Sequence, residues 1–347
     1  MSKVKAFCGA ERGACASLAC ALVGIAAAVG SLTPAAGAPP APRCASPAAT
    51  SAVVRYRVMD LPLNPAAIND SGEIAGTTAA HRAALWSAGR GLRELPLPPG
   101  FVNSEAVSIN NHGHVLVIAY DGTFSKHESF IFAAGGLTLL SGEQTRAFQI
   151  SDSGAVVGES LVPGKTGSQP VVWQHHALRP IDSCCGGSAT GSNRNGEVIG
   201  DTYDHDGRYH AFLWSEVRGM QSIGPPQEYS SAIAINVRGH VLIEAASGAL
   251  FHAEASSTRL KLAAKTPSHP RALNDCDVVV GSFGPFSDAS RAFVWEKSQG
   301  FQDLNSHIPP DSGWKLESAA GINNRGEIVG KGDWKHQDNR GFLLIPD

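Results

Sequence analysis

A short acidic stretch is the part of the sequence that most resembles a ligand site. Asp201, Asp204 and Asp206 place three carboxylates within six residues, and Gly207 follows them. This spacing is typical of a fragment of a calcium-binding loop, but the later acidic ligand of a complete loop is missing. The competing interpretation is a solvated turn whose Asp side chains bond their own backbone. We favour the turn and predict no bound metal there.

Two histidines accompany the acidic stretch, at positions 205 and 210. No HExxH or other zinc-type spacing occurs anywhere in the chain. The chain also lacks a GxSxG element, a Walker loop and a dinucleotide-binding fingerprint. We therefore assign no catalytic residue and predict no cofactor.

Six polar side chains stand at one equivalent position, each at the start of a short apolar segment. They are Arg82, Glu128, Gln169, His210, Arg291 and Arg340. Recurrence at one position predicts a polar ring that could receive an acidic or sugar-like ligand. The competing interpretation is that these side chains bond to neighbouring loops of the scaffold. Together with Asp204 and Asp206, they are our candidate ligand-binding residues.

The elements that must position these side chains derive from one repeated ten-residue phrase. Its best-preserved copy is GINNRGEIVG at 321–330, and six worn copies precede it. The anchor positions are Asn69, Asn110, Ser151, Asn193, Asn236, Asn274 and Asn323, with spacings of 41, 41, 42, 43, 38 and 49 residues. A period near 40 residues predicts an array of units with four short strands each.

The phrase itself predicts a strand, a tight turn and a second strand. Asn opens a turn by bonding its own backbone, and the Gly three residues later supplies the positive φ that other residues resist. Apolar, often β-branched residues stand on either side, as in AINDSGEIAG at 67–76. This chemistry is typical of a short hairpin with a bulge.

Two further segments follow each phrase in a fixed order. The first is a short apolar run such as HAFLW at 210–214, which suits a strand covered on both faces. The second alternates apolar and polar residues, as in GLREL at 91–95, and suits a half-exposed outer strand. The seventh unit lacks this outer strand, whereas RYRVMDLP at 55–62 supplies one before the first phrase.

This offset predicts how the array is arranged. A closed ring lets the N-terminal strand complete the last unit, whereas an open solenoid would leave two unpaired edges. We therefore predict an all-β fold, a seven-bladed β-propeller of four-stranded antiparallel blades. The segment Tyr56–Leu61 should pair antiparallel with the strand around 341–345.

These motifs together resemble the bacterial extracellular HAF repeat family, which is named for its His-Ala-Phe tripeptide. His210, Ala211 and Phe212 spell the tripeptide, and Arg82, Arg291 and Arg340 replace the His in other units. The resemblance covers residues 53–347. It implies a secreted, propeller-like repeat protein and no settled activity.

The N-terminal region does not share the repeat. Lys3, Lys5 and Arg12 precede an apolar run at 14–32, and small residues follow it, which is the layout of a secretory signal. We predict a signal peptide at 1–38, a disordered Pro/Ala linker at 39–52 and the propeller at 53–347. A membrane anchor that stays attached is the alternative, since the run is near spanning length.

Charge limits the partners that the exported chain can have. Residues 39–347 keep 25 Lys and Arg side chains against 30 Asp and Glu, for a net charge of −5. A mildly acidic, unclustered surface offers no footprint for nucleic acid. We predict a secreted, periplasmic or extracellular monomer without a membrane span after cleavage.

Two functional classes fit these features. Loop lengths vary between the second and third strands of a unit and between units, and both sets of loops emerge on one face, where binding usually occurs. A recognition module that binds protein or carbohydrate there needs only the scaffold. A hydrolase or lyase acting on polysaccharide would need convergent acids or His, and its candidates are Asp204, Asp206, His210, His81 and Glu128.

Four cysteines remain after removal of the leader: Cys44, Cys184, Cys185 and Cys276. Cys276 belongs to a turn on one face of the propeller, and the adjacent pair belongs to a loop on the other. A disulfide spans only about 4.4–6.8 Å between Cα atoms. We therefore predict that Cys276 bonds neither member of the pair and that no disulfide joins two blades. The pairings that remain are a strained bond within the adjacent pair, or a bond from Cys44, on its flexible linker, to one of the other three.

Overall fold

The computed structural model describes residues 54–347, apart from 124–125, 141–144, 166, 175–176, 182, 184, 254–255, 260–267 and 286–289. The predicted leader and linker therefore lie outside the described residues. The described strands form seven four-stranded sheets whose paired strands are antiparallel, as the repeat predicts for a seven-bladed propeller. Strands a to d of each blade are lettered from the central channel outward.

Blades 1 to 3 follow the chain order, after a first strand, β1 (Tyr56–Leu61), that belongs to the last blade. Blade 1 contains β2 (Asn64–Ile68), β3 (Ile74–Thr77), β4 (Ala83–Ser87) and β5 (Gly91–Glu94). Blade 2 contains β6 (Asn103–Ile109), β7 (Val115–Tyr120), β8 (His127–Ala133) and β9 (Gly136–Leu139). Blade 3 contains β10 (Arg146–Ile150), β11 (Val156–Leu161), β12 (Ser168–Gln174) and β13 (Ala177–Pro180).

Blades 4 to 6 repeat this order. Blade 4 contains β14 (Gly187–Ser192), β15 (Val198–Tyr203), β16 (Tyr209–Ser215) and β17 (Gly219–Ser222). Blade 5 contains β18 (Ser230–Ile235), β19 (Val241–Ala245), β20 (Gly248–Ala253) and β21 (Ser256–Arg259). Blade 6 contains β22 (Ser268–Leu273), β23 (Val279–Phe283), β24 (Arg291–Glu296) and β25 (Gly300–Asp303), and a short 3₁₀ turn, Leu304–Ser306, follows it.

Blade 7 is built from both ends of the described chain. It contains β26 (Trp314–Ile322), β27 (Ile328–Trp334), β28 (Gln337–Pro346) and β1 as its outer strand. Strand β1 pairs antiparallel with β28, from Tyr56 opposite Pro346 to Leu61 opposite Gly341. The predicted closure of the ring is confirmed.

Each copy of the phrase forms the predicted strand, turn and strand. In blade 1 the Asn69 side-chain oxygen accepts from the backbone N–H groups of Ser71 at 3.0 Å and Glu73 at 2.9 Å. Gly72 takes the expected positive φ of 78°. The pairing register shifts by one residue in strand a of every blade, which is the bulge that the phrase predicts.

The anchor asparagines also join neighbouring blades around the channel. The side-chain amide of an anchor donates to the anchor carbonyl of the next blade, from Asn69 to Asn110, Asn110 to Ser151, Asn193 to Asn236, Asn236 to Asn274, Asn274 to Asn323 and Asn323 to Asn69, at 2.9–3.2 Å. Ser151 is too short to continue this series into blade 4. There Gln149 Oε1 accepts instead from the Ser192 N–H at 3.0 Å and its hydroxyl at 2.9 Å.

The burial of strands c and d follows their sequence patterns. In β16 the residues Ala211, Phe212 and Leu213 are buried, whereas β5 is exposed along its whole length. The cores therefore lie between blades, where the apolar faces of adjacent sheets meet. Among the described residues we find no helix that is long and apolar enough to cross a bilayer.

The described cysteines test part of the disulfide prediction. Cys276 is disulfide-bonded, and Cys185 is a thiol whose sulfur lies 3.6 Å from His205 Nδ1. The predicted absence of a bond between Cys276 and Cys185 is therefore confirmed. The partner of Cys276 lies outside the described residues, so the rest of the prediction stays open to peptide mapping.

Candidate functional site

The antiparallel order of the strands separates two faces of the propeller. The turns between strands a and b, and between c and d, lie on one face, which we call the turn face. The loops between strands b and c, and those that connect successive blades, lie on the other, which we call the loop face. The candidate residues from the sequence all belong to the loop face.

All six residues at the start of strand c contact groups of their own blade or of its loops, and His210 does so through Asp204. Arg82 contacts the Leu95 carbonyl at 3.5 Å, Gln169 Oε1 accepts from the Ser183 hydroxyl at 2.8 Å, and Arg291 pairs with Asp303 at 3.2 Å. The Arg340 guanidinium donates to the Asp60 carboxylate, and Glu128 pairs with Lys126 at 2.8 Å. These contacts occupy the side chains within single blades, and a role in binding stays a prediction.

The acidic stretch of the sequence forms a tight hairpin loop. The Asp204 carboxylate accepts from the N–H groups of Asp206 at 2.8 Å and Arg208 at 2.9 Å, and His210 Nε2 lies 3.0 Å from it. These contacts, with that of the Arg208 N–H foremost, hold the pKa of Asp204 at about 2. The loop thus uses its carboxylate to order its own backbone, as the solvated-turn interpretation predicts.

The five catalytic candidates do not form one cluster in their described contacts. Asp204 and His210 meet, but Asp206 pairs with Arg208 at 2.6 Å. His81 belongs to blade 1 and Glu128 to blade 2, in different sheets from the other three. Within the described ranges, no group of His, Cys, Asp and Glu is arranged to hold a metal ion.

A large cavity on the loop face lies where blades 7, 1 and 2 meet. Its volume is about 560 Å³, and its walls come from residues 61–66, 77–79, 81, 105–107, 331 and 339–341. Lys331, Arg340 and His81 contribute cationic or polar groups and Glu105 contributes a carboxylate, whereas the Pro, Leu, Ala and Val side chains contribute apolar surface. Buried Asn64 Oδ1 has no described hydrogen-bond partner in this wall. We call this cavity the cleft.

A second feature follows from the residue directly after each phrase, in strand b. The seven equivalents are Thr77, Ile118, Glu159, Asp201, Glu244, Ser282 and Lys331. Blades 3, 4 and 5 therefore present consecutive carboxylates, which we call the acidic arc. Thr77 and Lys331 at the same position line the cleft, so the arc lies at the same level of the loop face.

The carboxylates of the acidic arc are partly buried, and those of Asp201 and Glu244 are hydrogen-bonded across blades. Asp201 accepts from the Ser188 hydroxyl at 3.2 Å and from the Ser231 hydroxyl of blade 5 at 2.8 Å. Glu244 lies 3.0 Å from His269 Nδ1 of blade 6. These cross-blade contacts hold the Asp201 and Glu244 carboxylates in place.

Burial also changes how two of these groups titrate. Burial raises the pKa of the Asp201 carboxyl, against the opposing effect of its two serine hydrogen bonds. Burial likewise raises the pKa of Glu159; the Arg146 guanidinium lowers it, and the Asp201 charge raises it further. Both carboxyls therefore retain a proton to higher pH than exposed carboxyls do.

The raised pKa of Asp201 predicts a pH dependence of stability. A carboxyl that binds its proton more tightly when folded lowers stability as pH rises from its unfolded pKa, about 3.9, through the raised folded value. Asp201→Asn keeps an acceptor for the serines, so it should remove part of this fall. The measurement is the difference in melting temperature from wild type across about pH 3.5 to 7. Exposed Asp311→Asn is the control, and identical difference curves for the two variants would contradict the prediction.

Sequence reasoning missed the acidic arc, although its signal was present in the repeat. Glu159, Asp201 and Glu244 each follow the tenth residue of a phrase, so aligning the seven copies one residue further places them in one column. Asp201 was noted only as part of the acidic stretch. The structure assigns it instead to the strand, three residues before the Asp204 turn.

The fold and the cleft define the class of protein: this chain is a seven-bladed β-propeller with a cleft on its loop face. No protein-family model and no curated protein matches the chain. The suggested HAF family therefore remains a resemblance.

Solved structures with a similar fold cover most of the chain at low sequence identity. The WD40 β-propeller domain of Doa1 superposes with a TM-score of 0.54 at 14% identity, covering 84% of this chain and 96% of that one. Virginiamycin B lyase from Staphylococcus aureus gives 0.53 at 11% identity, with 84% and 99% covered. YCF48 bound to a D1 peptide gives 0.52 at 10% identity, with 84% and 96% covered. At these identities the likeness extends to the fold alone.

Proposed function

We propose that the protein is a secreted recognition module that binds a protein or carbohydrate ligand through its loop face. The observation that carries this proposal is the cleft between blades 7, 1 and 2. Binding sites are typically concave, largely apolar and furnished with a few polar groups that fix orientation. A cavity of about 560 Å³ with Lys331, Arg340 and His81 in its walls fits that description.

The fold is compatible with both binding and catalysis. Similar propellers include a lyase in one case and a peptide-bound protein in another. Function must therefore be argued from the site. The cleft wall holds one carboxylate, Glu105, and the described contacts do not pair it with His81, Lys331 or Arg340, which is why we favour recognition.

One observation favours the second candidate function, an extracellular hydrolase or lyase that acts on polysaccharide. Glu159 and Asp201 have raised pKa values and lie in adjacent blades of the acidic arc. A carboxyl that retains its proton to higher pH than usual is better suited to act as a general acid. Incubating the protein with a polysaccharide panel separates the two functions, since only an enzyme would release reducing ends or unsaturated products.

The recognition proposal is tested by filling the cleft. Ala79 is exposed and lines the cleft, and Ala80, also exposed, does not line it. The wild-type protein is screened against a glycan array and a displayed peptide library. Ala79→Trp should weaken the strongest hit by about tenfold or more, because the indole occupies the cavity.

Two further variants locate the binding face. Ala80→Trp is the matched control and should leave affinity unchanged. Arg194→Ala changes an exposed side chain of the turn face. Hits that resist Ala79→Trp but are lost in Arg194→Ala would place binding on the turn face and contradict the proposal.

A further inference from the structure

Three exposed tyrosines form a cluster on the loop face, at the boundary of blades 4 and 5. Tyr203 is 43% exposed, Tyr209 38% and Tyr229 47%. The ring centroids of Tyr203 and Tyr209 lie 6.4 Å apart, and those of Tyr209 and Tyr229 lie 5.1 Å apart. The whole chain has only five tyrosines. Three of them therefore share one surface, which we call the tyrosine platform.

The backbone holds the tyrosine platform in place. Tyr203 ends β15 and stands directly opposite Tyr209, the first residue of β16. The Tyr203 N–H donates to the Gly186 carbonyl at 3.1 Å, and the Tyr229 carbonyl accepts from the Ala246 N–H at 3.1 Å. Two sheet residues and one anchored loop residue thus present their rings on a rigid base, which lowers the entropy lost on binding.

The tyrosine platform adjoins the acidic arc. Asp201 precedes Tyr203 by two residues on β15, so their side chains leave the same face of the sheet, about 7 Å apart along the strand. Ser231 follows Tyr229 by two residues and donates to Asp201 at 2.8 Å. A ligand lying on the rings is therefore close to the Asp201 carboxylate and to the Ser231 hydroxyl that donates to it.

We propose that the tyrosine platform, with Asp201 and its serine partners, is a binding site for a neutral polysaccharide. This inference rests on the proposed function and narrows its ligand class. Sugar C–H groups stack on the electron-rich faces of aromatic rings, while sugar hydroxyls bond to carboxylates and hydroxyls. The acidic arc, with Glu159 and Glu244 beside Asp201, repels uronic acids and other anionic sugars.

Composition around the platform favours a sugar over a protein partner. The loop between Tyr203 and Tyr209 is polar, and its Asp204 and Asp206 carboxylates each pair with Arg208. The exposed large aliphatic side chains of the described residues lie in other segments, at Leu92, Val102, Leu139, Leu161 and Val217. A protein-binding hot spot would be expected to combine its aromatic anchors with a desolvated apolar core.

The test is affinity electrophoresis of the full protein in native gels. The gels contain galactomannan, xyloglucan or hydroxyethylcellulose as neutral probes, and alginate as an anionic one. Wild type should be retarded by at least one neutral probe. Tyr209→Ala should weaken that retardation by about tenfold or more, as expected for a tyrosine hot spot whose ring contacts both neighbours. Tyr209→Phe keeps the ring and should retain most of the binding.

The controls distinguish this inference from the proposal on which it rests. Val102→Ala removes another exposed side chain of the loop face, 54% exposed, and should bind as wild type does. Thermal melts confirm that the variants fold. If retardation were lost in Ala79→Trp but kept in Tyr209→Ala, the glycan would bind in the cleft. That result would contradict the tyrosine platform as the glycan site and would still support the recognition module.

Two other results also overturn the tyrosine platform as a neutral-glycan site. One is the absence of retardation of wild type by any neutral probe, and the other is retardation by alginate alone. Peptide hits that are lost in Ala79→Trp would leave the recognition proposal standing in either case.

Discussion

A chain that lacks residues 53–61, but keeps its leader and linker, is expected to melt about 10 °C or more below the wild type. The deletion removes β1, which supplies the outer strand of blade 7. Tyr56 and Leu61 are only 5% and 2% exposed in the closed ring, so the deletion also exposes the residues that pack against them. Truncating one buried Leu alone costs about 2–5 kcal/mol, so losing a whole core strand should cost more.

Two point variants separate burial at the closure from loss of any outer-strand leucine. Leu61 lies in the outer strand of blade 7, whereas Leu92 lies in that of blade 1 and is 41% exposed. Leu61→Ala should lower the melting temperature clearly, and Leu92→Ala should change it little. Equal effects of the two substitutions would show that burial of Leu61 at the closure adds no stability. An unchanged melting temperature for the deletion would show that the closing strand contributes no stability to the ring.

The sequence predicted the fold because each level of the repeat agrees with the others. The Asn and Gly of each phrase specify the turn, the apolar runs specify the covered strand, and the offset of RYRVMDLP specifies the closure. One copy of the phrase has Asp in place of the turn Gly, and its backbone still adopts the conformation that the turn requires. Where ALNDCDVVVG replaces the turn Gly, Asp277 adopts a φ of 62°, a conformation that Asp tolerates better than most residues.

The candidate site was less predictable because side-chain contacts depend on tertiary neighbours. Arg340 contacts Asp60, which is 280 residues away and adjacent only because the ring closes. Tyr209 and Tyr229 meet across a blade boundary. Periodicity identifies which residues share a position in a blade, but not which groups face one another between blades.

Asn323→Ala is expected to destabilise the protein by about 3 kcal/mol, because it removes several buried hydrogen bonds at the closing blade boundary. The Asn323 amide donates to the Asn69 carbonyl of blade 1 at 3.0 Å, and its oxygen accepts from the N–H groups of Arg325 and Glu327 at 3.0 Å each. Alanine leaves these groups without their partner in a site that is 3% exposed. Urea unfolding measures the loss.

Ser151→Ala is the matched control, since Ser151 holds the same anchor position in blade 3. Its hydroxyl contacts the Ser153 hydroxyl at 2.8 Å and the Ala155 carbonyl at 3.3 Å, and among its described contacts none reaches blade 4. The cost of this substitution should therefore be about 1 kcal/mol or less. If both alanine variants lost the same stability, the anchors would act only within their own turns, and the bonds that run from blade to blade would contribute nothing to holding the ring closed.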